Sequence, residues 1–183
     1  MDKRVTAALS GILIAVVLAS GCGTKKSGGE EQPEVGKLKA LGMQNGQIQP
    51  QGNMKALAYT DEHYNKIREA SKAVEMKTVY VPQNGANGDK LDWVEVDSNV
   101  MILHYKKMDI IEYQKEVKPT GRVSNEQDVK LLNGDGKWYT IGKRQSLRMK
   151  LPEAYVIVSS QKGVPREELE RVAESLFPVV PES

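Results

Sequence analysis

The 183-residue sequence holds one cysteine, one phenylalanine, two tryptophans and two histidines. A lone cysteine cannot form an internal disulfide, so the fold has to rest on a packed core rather than on a covalent framework. His63 and His104 share no HxH or HxxxH spacing and have no cysteine cluster beside them, so no zinc or other metal site is expected. No serine lies in a G-x-S-x-G elbow, and Asn133-Gly134-Asp135-Gly136 lacks the Lys-Ser/Thr that completes a phosphate loop. Charge of one sign is missing too. The net charge is +2, basic and acidic residues are interspersed, and the absence of a basic stripe argues against nucleic acid as a partner. Neither a nucleophile–base pair nor a cofactor motif can be assembled from what remains, so an enzyme is not expected and no cofactor is assigned.

Long hydrophobic runs are scarce, with one exception. Val5–Ser20 carries no charge, follows Lys3 and Arg4, and is centred on Ile12, Leu13, Ile14, Val16, Val17 and Leu18. It is shorter than the roughly 20 residues of a membrane-spanning helix and fits the apolar region of a signal peptide. It ends in Leu18-Ala19-Ser20-Gly21-Cys22, which resembles the lipobox of bacterial lipoproteins. The resemblance implies cleavage before Cys22, lipidation of its thiol, and a protein held by acyl chains on the extracytoplasmic face of the cell membrane. At about 0.8 kcal/mol per buried CH₂, two or three such chains make attachment effectively permanent. Removing Asp2, Lys3 and Arg4 with the leader leaves 24 basic against 23 acidic residues, a nearly neutral mature chain.

The following stretch is rich in Gly, Gln, Asn, Lys and Glu, with Gln44-Asn45-Gly46-Gln47 and Gln49-Pro50-Gln51-Gly52-Asn53 as examples. Such a composition has little to bury and reads as a linker. The expected organisation is a leader over 1–21, a lipidated cysteine and flexible linker over 22–58, a folded domain over 59–178 and a tail over 179–183.

Within the domain, Thr60 can cap a helix that places Asp61 and Glu62 in its first turn. Tyr64, Ile67, Ala70, Ser71 and Val74 then recur at helical spacing, predicting a helix over about 61–75. Strands are predicted at 76–81, 91–97, 100–107 and 109–117, the last with Ile111, Tyr113 and Val117 on its apolar face. Residues 119–126 read as a polar loop. Val129 and Leu131 open another strand, Asn133–Gly136 suggests a hairpin, and strands return at 137–141, 146–151 and 155–160. In 146–151 the alternation puts Leu147, Met149 and Leu151 inward and Arg148 and Lys150 outward, the mark of a sheet with one wet face. Pro165 starts a C-terminal helix whose stripe is Leu169, Val172, Ala173 and Leu176, with Glu170 on its wet side. The fold class is α+β: an antiparallel sheet of six or seven strands, with an N-terminal and a C-terminal helix packed on one face.

Three pieces carry a second resemblance: Tyr80-Val81-Pro82; Val129-Lys130-Leu131-Leu132 with Gly134 and Gly136-Lys137-Trp138-Tyr139; and Tyr155-Val156-Ile157-Val158-Ser159 running into the helix Glu167–Leu176. Together they resemble a domain of unknown function found in lipoproteins, and at the extracytoplasmic ends of anti-sigma-factor-like proteins, of spore-forming Gram-positive bacteria. That family implies no chemistry to transfer. A more distant likeness at fold level is to lipoprotein carriers, in which a curved sheet cradles acyl chains.

His63 reads as part of a solvated first helical turn, His104 as a partly buried strand residue, and Ser159 and Ser160 as strand-end serines. Trp93, Trp138 and Tyr139 are the candidate lining of an apolar ligand groove. The expected function is a non-catalytic binding or sensing module of the cell envelope, tethered through Cys22 and partnered by an envelope protein. The alternative is a carrier of an acyl chain or other apolar ligand between sheet and helices. A filled interior would favour the first, an empty concave pocket the second.

Overall fold

A computed structural model of the protein describes residue 52, residues 54–160 and residues 163–180. Cys22, the leader 1–21, most of the expected linker and the last three residues lie outside the described residues. In chain order the elements are β1 (Met54–Ala56), α1 (Asp61–Ala73), β2 (Val79–Pro82), β3 (Asn84–Ala86), β4 (Leu91–Asp97), β5 (Val100–Tyr105), β6 (Asp109–Tyr113), β7 (Val123–Leu131), β8 (Gly134–Ile141), β9 (Arg144–Leu151), β10 (Ala154–Ser160), α2 (Arg166–Glu174) and β11 (Leu176–Val179). Seven strands form one antiparallel sheet in the order β4-β5-β6-β10-β9-β8-β7, and β1-β3 and β11-β2 form two small ribbons. Among the described residues the chain therefore adopts an α+β fold, with a seven-stranded antiparallel sheet and two helices.

The large sheet consists of two meanders, β4-β5-β6 and β7-β8-β9-β10, joined by antiparallel pairing of β6 with β10. Registers align Val94, Leu103, Ile110, Val158, Leu147 and Trp138 in one row across six strands. Residues along a strand alternate between faces, so this row and its period-two neighbours define one side of the sheet. That side is the core. Leu103, Ile110, Val158, Leu147 and Trp138 are buried in one cluster with Ile67, Ala70 and Val74 of α1 and Leu169, Val172 and Ala173 of α2.

Local chemistry starts and stops both helices. The Thr60 hydroxyl accepts from His63 N–H at 3.3 Å, and His63 Nδ1 accepts from Thr60 N–H at 3.2 Å, a reciprocal box that satisfies two end donors. His63 is thus a capping residue. Helix α2 ends at Glu174, short of Leu176 at the end of its apolar stripe, because Leu176–Val179 pair with β2 instead. The Ser175 hydroxyl donates to Val172 O at 2.8 Å, and Leu176 leaves the helix to pair with Pro82 in the β11-β2 ribbon.

Other boundaries move for similar reasons. Met54, assigned by composition to the linker, is 4 % exposed in β1, which pairs with β3, between the strands predicted at 76–81 and 91–97. Val179, assigned to the tail, closes β11. The polar residues 123–126 open β7 rather than a loop, since an edge strand needs little apolar side-chain surface. The hairpin between β7 and β8 turns on Leu132-Asn133, one step before the glycines, because Leu131 pairs with Gly134. Helix α2 holds this turn: Leu132 N–H donates to Glu174 and the Asn133 amide donates to Ala173 O. Gly136 is required by space rather than by the turn, because a Cβ there would meet Leu147 Cδ1 at 2.9 Å.

Glu170 does not sit on a free wet face. Its carboxylate accepts from the Trp138 indole N–H at 2.7 Å, and Arg166 lies 5.0 Å over the same ring. Trp138 is 1 % exposed, so removing that acceptor strands a buried donor. Leu169→Ala should cost about 2–5 kcal/mol, Glu170→Ala about 1–3 kcal/mol, and exposed Glu167→Ala less than about 0.5 kcal/mol. Denaturant titration of the full-length chain checks the order. Equal stability of all three variants would mean that α2 does not pack on the sheet.

Candidate functional site

The face of the large sheet opposite the core carries the chemistry-bearing side chains. One step from the core row, the registers align Trp93, His104, Asp109, Ser159, Ser146 and Tyr139. Trp93 stacks on His104 with ring centroids 4.3 Å apart and an interplanar angle of 23°. His104 Nδ1 lies 2.9 Å from Asp109 and Nε2 lies 2.9 Å from Glu95. Arg144 approaches the second Asp109 oxygen at 3.5 Å. The imidazole is thereby tethered at both nitrogens and covered by the indole, while Trp93 keeps 52 % of its own surface exposed.

The three aromatics expected to line one groove do not meet. Trp138 and Tyr139 are consecutive in β8 and project to opposite faces. Trp138 enters the core and Tyr139 joins the outer row. Trp93 shares that row, but β5, β6, β10 and β9 intervene, a separation of roughly 24 Å at the usual strand spacing. Tyr139 is buried, and burial pushes its phenol up, offset in part by a hydrogen bond with Ser146. Trp93 alone of the three offers a wet aromatic surface.

Ser159 and His104, which share this row, are each bonded to other groups. Ser159 is fully buried, its hydroxyl 3.0 Å from that of Ser146 and donating to Gln145 O at 3.4 Å. The Ser160 hydroxyl donates to Lys107 O at 2.7 Å. Both His104 nitrogens face carboxylates. Among the described residues no group of three or more His, Cys, Asp or Glu could hold a metal ion.

Clefts of about 520 Å³ and 460 Å³ open at the rim of the domain. The larger lies between the end of α1, the β4-β5 turn and the end of β6. The smaller lies beside Lys106, Lys107 and the start of α2. Leu147, Met149, Val156 and Leu169, in the core, line neither of these two clefts and are 0–2 % exposed.

The residue that sequence reading missed is Glu112. Pairing of Leu103 with Ile110 turns Glu112, not Ile111, into the core, between Met101 and Val156. It is fully buried. Oε2 accepts from Tyr80 N–H at 3.0 Å, and Oε1 has no partner among the described residues. Burial raises its pKa to about 8, offset in part by the Tyr80 amide. The hydrogen bond ties the β11-β2 ribbon to the large sheet. Tyr80 reinforces the tie by donating its hydroxyl to Pro152 O at 2.7 Å.

A folded-state value above the ordinary 4.5 means that the native chain holds a proton the unfolded chain has released. This contribution is complete below pH 4.5 and is lost as the pH rises through about 8, at about 1.4 kcal/mol for each pH unit between the two values. Glu112→Gln should remove that slope and stabilise the chain above neutrality. Unfolding free energies of both proteins across this range test it; parallel pH profiles would mean that Glu112 is solvated. Against known proteins the chain finds no counterpart: no family model, no curated protein and no solved structure matches it.

Proposed function

We propose that the protein is a lipoprotein anchored through Cys22 on the extracytoplasmic face of the cell membrane, where its domain acts as a non-catalytic binding or sensing module. The observation that carries the binding role is Trp93. A large aromatic half open to water is a common feature of interaction surfaces, and this one is held rigid by its stack on His104. Stacking lowers the entropy that a partner would otherwise have to spend in ordering the side chain. The closed hydrogen bonding of Ser159 and His104 supports a non-catalytic reading.

Near-zero exposure of Leu147, Val158, Leu169 and Val172 between sheet and helices supports the binding module over the carrier of an acyl chain, which would need an open pocket there. Both helices are taken to form one layer on the core face, an arrangement supported by the single core they share. The lipid anchor rests on the sequence Leu18–Cys22. No helix among the described residues is long and apolar enough to cross a membrane.

Two experiments test this reading. Cys22→Ser should move the protein out of the membrane fraction and block its processing; a variant that stays membrane-bound with the normal processed mass refutes the anchor. Crosslinking of the native protein in its own cells, read by mass spectrometry, should yield an envelope partner. Trp93→Ala should lower that yield several-fold while shifting stability by no more than about 1 kcal/mol, since the side chain is half exposed. An unchanged yield removes Trp93 from the interface, and no crosslinked partner at all refutes the binding role.

A further inference from the structure

We propose that the free edge of β4 docks an extended, basic segment of a partner protein, added to the large sheet as an eighth strand. The inference rests on the binding-module reading and gives it a partner chemistry. Among the described residues β4 is terminal in the sheet and pairs only with β5; helix α1 packs close to it, yet Asp92, Glu95, Val96 and Asp97 stay exposed. Its hairpin closes at the pair Asp97–Val100 around Ser98-Asn99. In an antiparallel pair the bonded positions alternate, so Trp93, Glu95 and Asp97 direct their amides to β5. Val94 and Val96 direct theirs outward, where a further strand can meet them.

The edge has a single sign of charge. Asp92, Glu95 and Asp97 lie in β4, which contains no lysine or arginine. Among the described residues Glu95 pairs with His104, while Asp92 and Asp97 form no ion pair. The opposite edge differs. In β7, Glu126 and Asp128 approach Lys137 at 3.8 Å and 3.5 Å, and Lys130 meets Asp135 at 2.6 Å. A register shift between Ser124 and Gln127, with Asn125 at φ 54°, breaks its ladder as well. Natural edges are blunted by such devices; β4 has a shift only at its start, between Leu91 and Trp93.

Apolar surface completes the edge. Trp93 at 52 % and Val96 at 40 % exposure sit on opposite faces of β4. An added strand places its side chains about 4.5–5.5 Å from those of β4, with same-face residues about 7 Å apart. Lysine or arginine at alternate positions would then oppose Glu95 and Asp97, and a further cation would lie over the open face of Trp93. A second copy of this chain is a poor occupant, because pairing β4 with β4 sets acids against acids.

The test uses the full-length chain and a short labelled peptide that alternates Lys with Thr, titrated by fluorescence anisotropy. The wild-type chain should bind this peptide, and not one that alternates Glu with Thr, with an affinity that falls as salt is added. Asp97→Lys should weaken binding about tenfold or more. Val96→Pro removes an outward amide at a position where an edge strand tolerates proline, and should abolish binding while leaving the melting temperature close to wild type. If Val96→Pro unfolds, the same peptide N-methylated on alternate amides replaces it; the wild-type chain should not bind that peptide.

No binding of the Lys/Thr peptide, or equal binding of its N-methylated form, overturns the inference. So does a concentration-dependent dimer that Val96→Pro dissolves. A crosslinked envelope partner whose yield is unchanged in both Val96→Pro and Asp97→Lys overturns strand addition and leaves the binding-module reading standing.

Discussion

Everything on the accessible side of this molecule depends on which face of the seven-stranded sheet is buried. Alternation leaves no freedom once one row is committed: with Leu103, Ile110, Val158, Leu147 and Trp138 in the core, the next row must be Trp93, His104, Asp109, Ser159, Ser146 and Tyr139. A slip by one residue would exchange a hydrophobic row for a polar one. The polar row is therefore a by-product of packing first. Only at its end, on β4, does it present a half-exposed aromatic, Trp93, to the surroundings.

Trp138 and Glu112 both bring polar groups into the core, and both tie separate elements to the sheet. Trp138 brings a donor into the interior and finds Glu170 of α2. Glu112 brings a carboxyl group inside and receives one amide bond from β2, with its other oxygen unpartnered. Packing alone would let a helix or ribbon slide across a greasy surface, whereas a directional bond at each contact selects one position. The cost differs. The indole is satisfied, and the carboxyl group escapes the penalty of a buried charge only while it keeps its proton.

The sequence was readable where one local signal acts alone. Thr60 with Asp61 and Glu62 marks the start of α1, and the clean alternation of Leu147, Met149 and Leu151 gives the correct face of β9. It misled where tertiary pairing decides. Ile111 and Tyr113 look like the inner face of β6, yet the short connection from β5 sets Ile110 opposite Leu103 and sends Glu112 inward. Strand β1 is three residues long and exists by pairing with β3, about thirty residues later, so no periodicity could announce it. Pro178 marks only an outer limit for α2 at Phe177; the helix stops at Glu174 because Leu176 pairs with Pro82, which no local signal announces. Of the candidate site, the aromatic residue types were legible. Their separation was not, because strand order is a property of the whole sheet.

The junction of β6 with β10 has an entropic meaning. Each meander is made of neighbours in sequence and can close one short turn at a time, whereas the junction pairs Ile111 with Ile157 across more than forty residues. Closing such a loop costs entropy that only the completed core repays. The entropy of ordering is thus divided unequally: each turn within a meander closes a short loop at small cost, and the β6–β10 junction carries the long one.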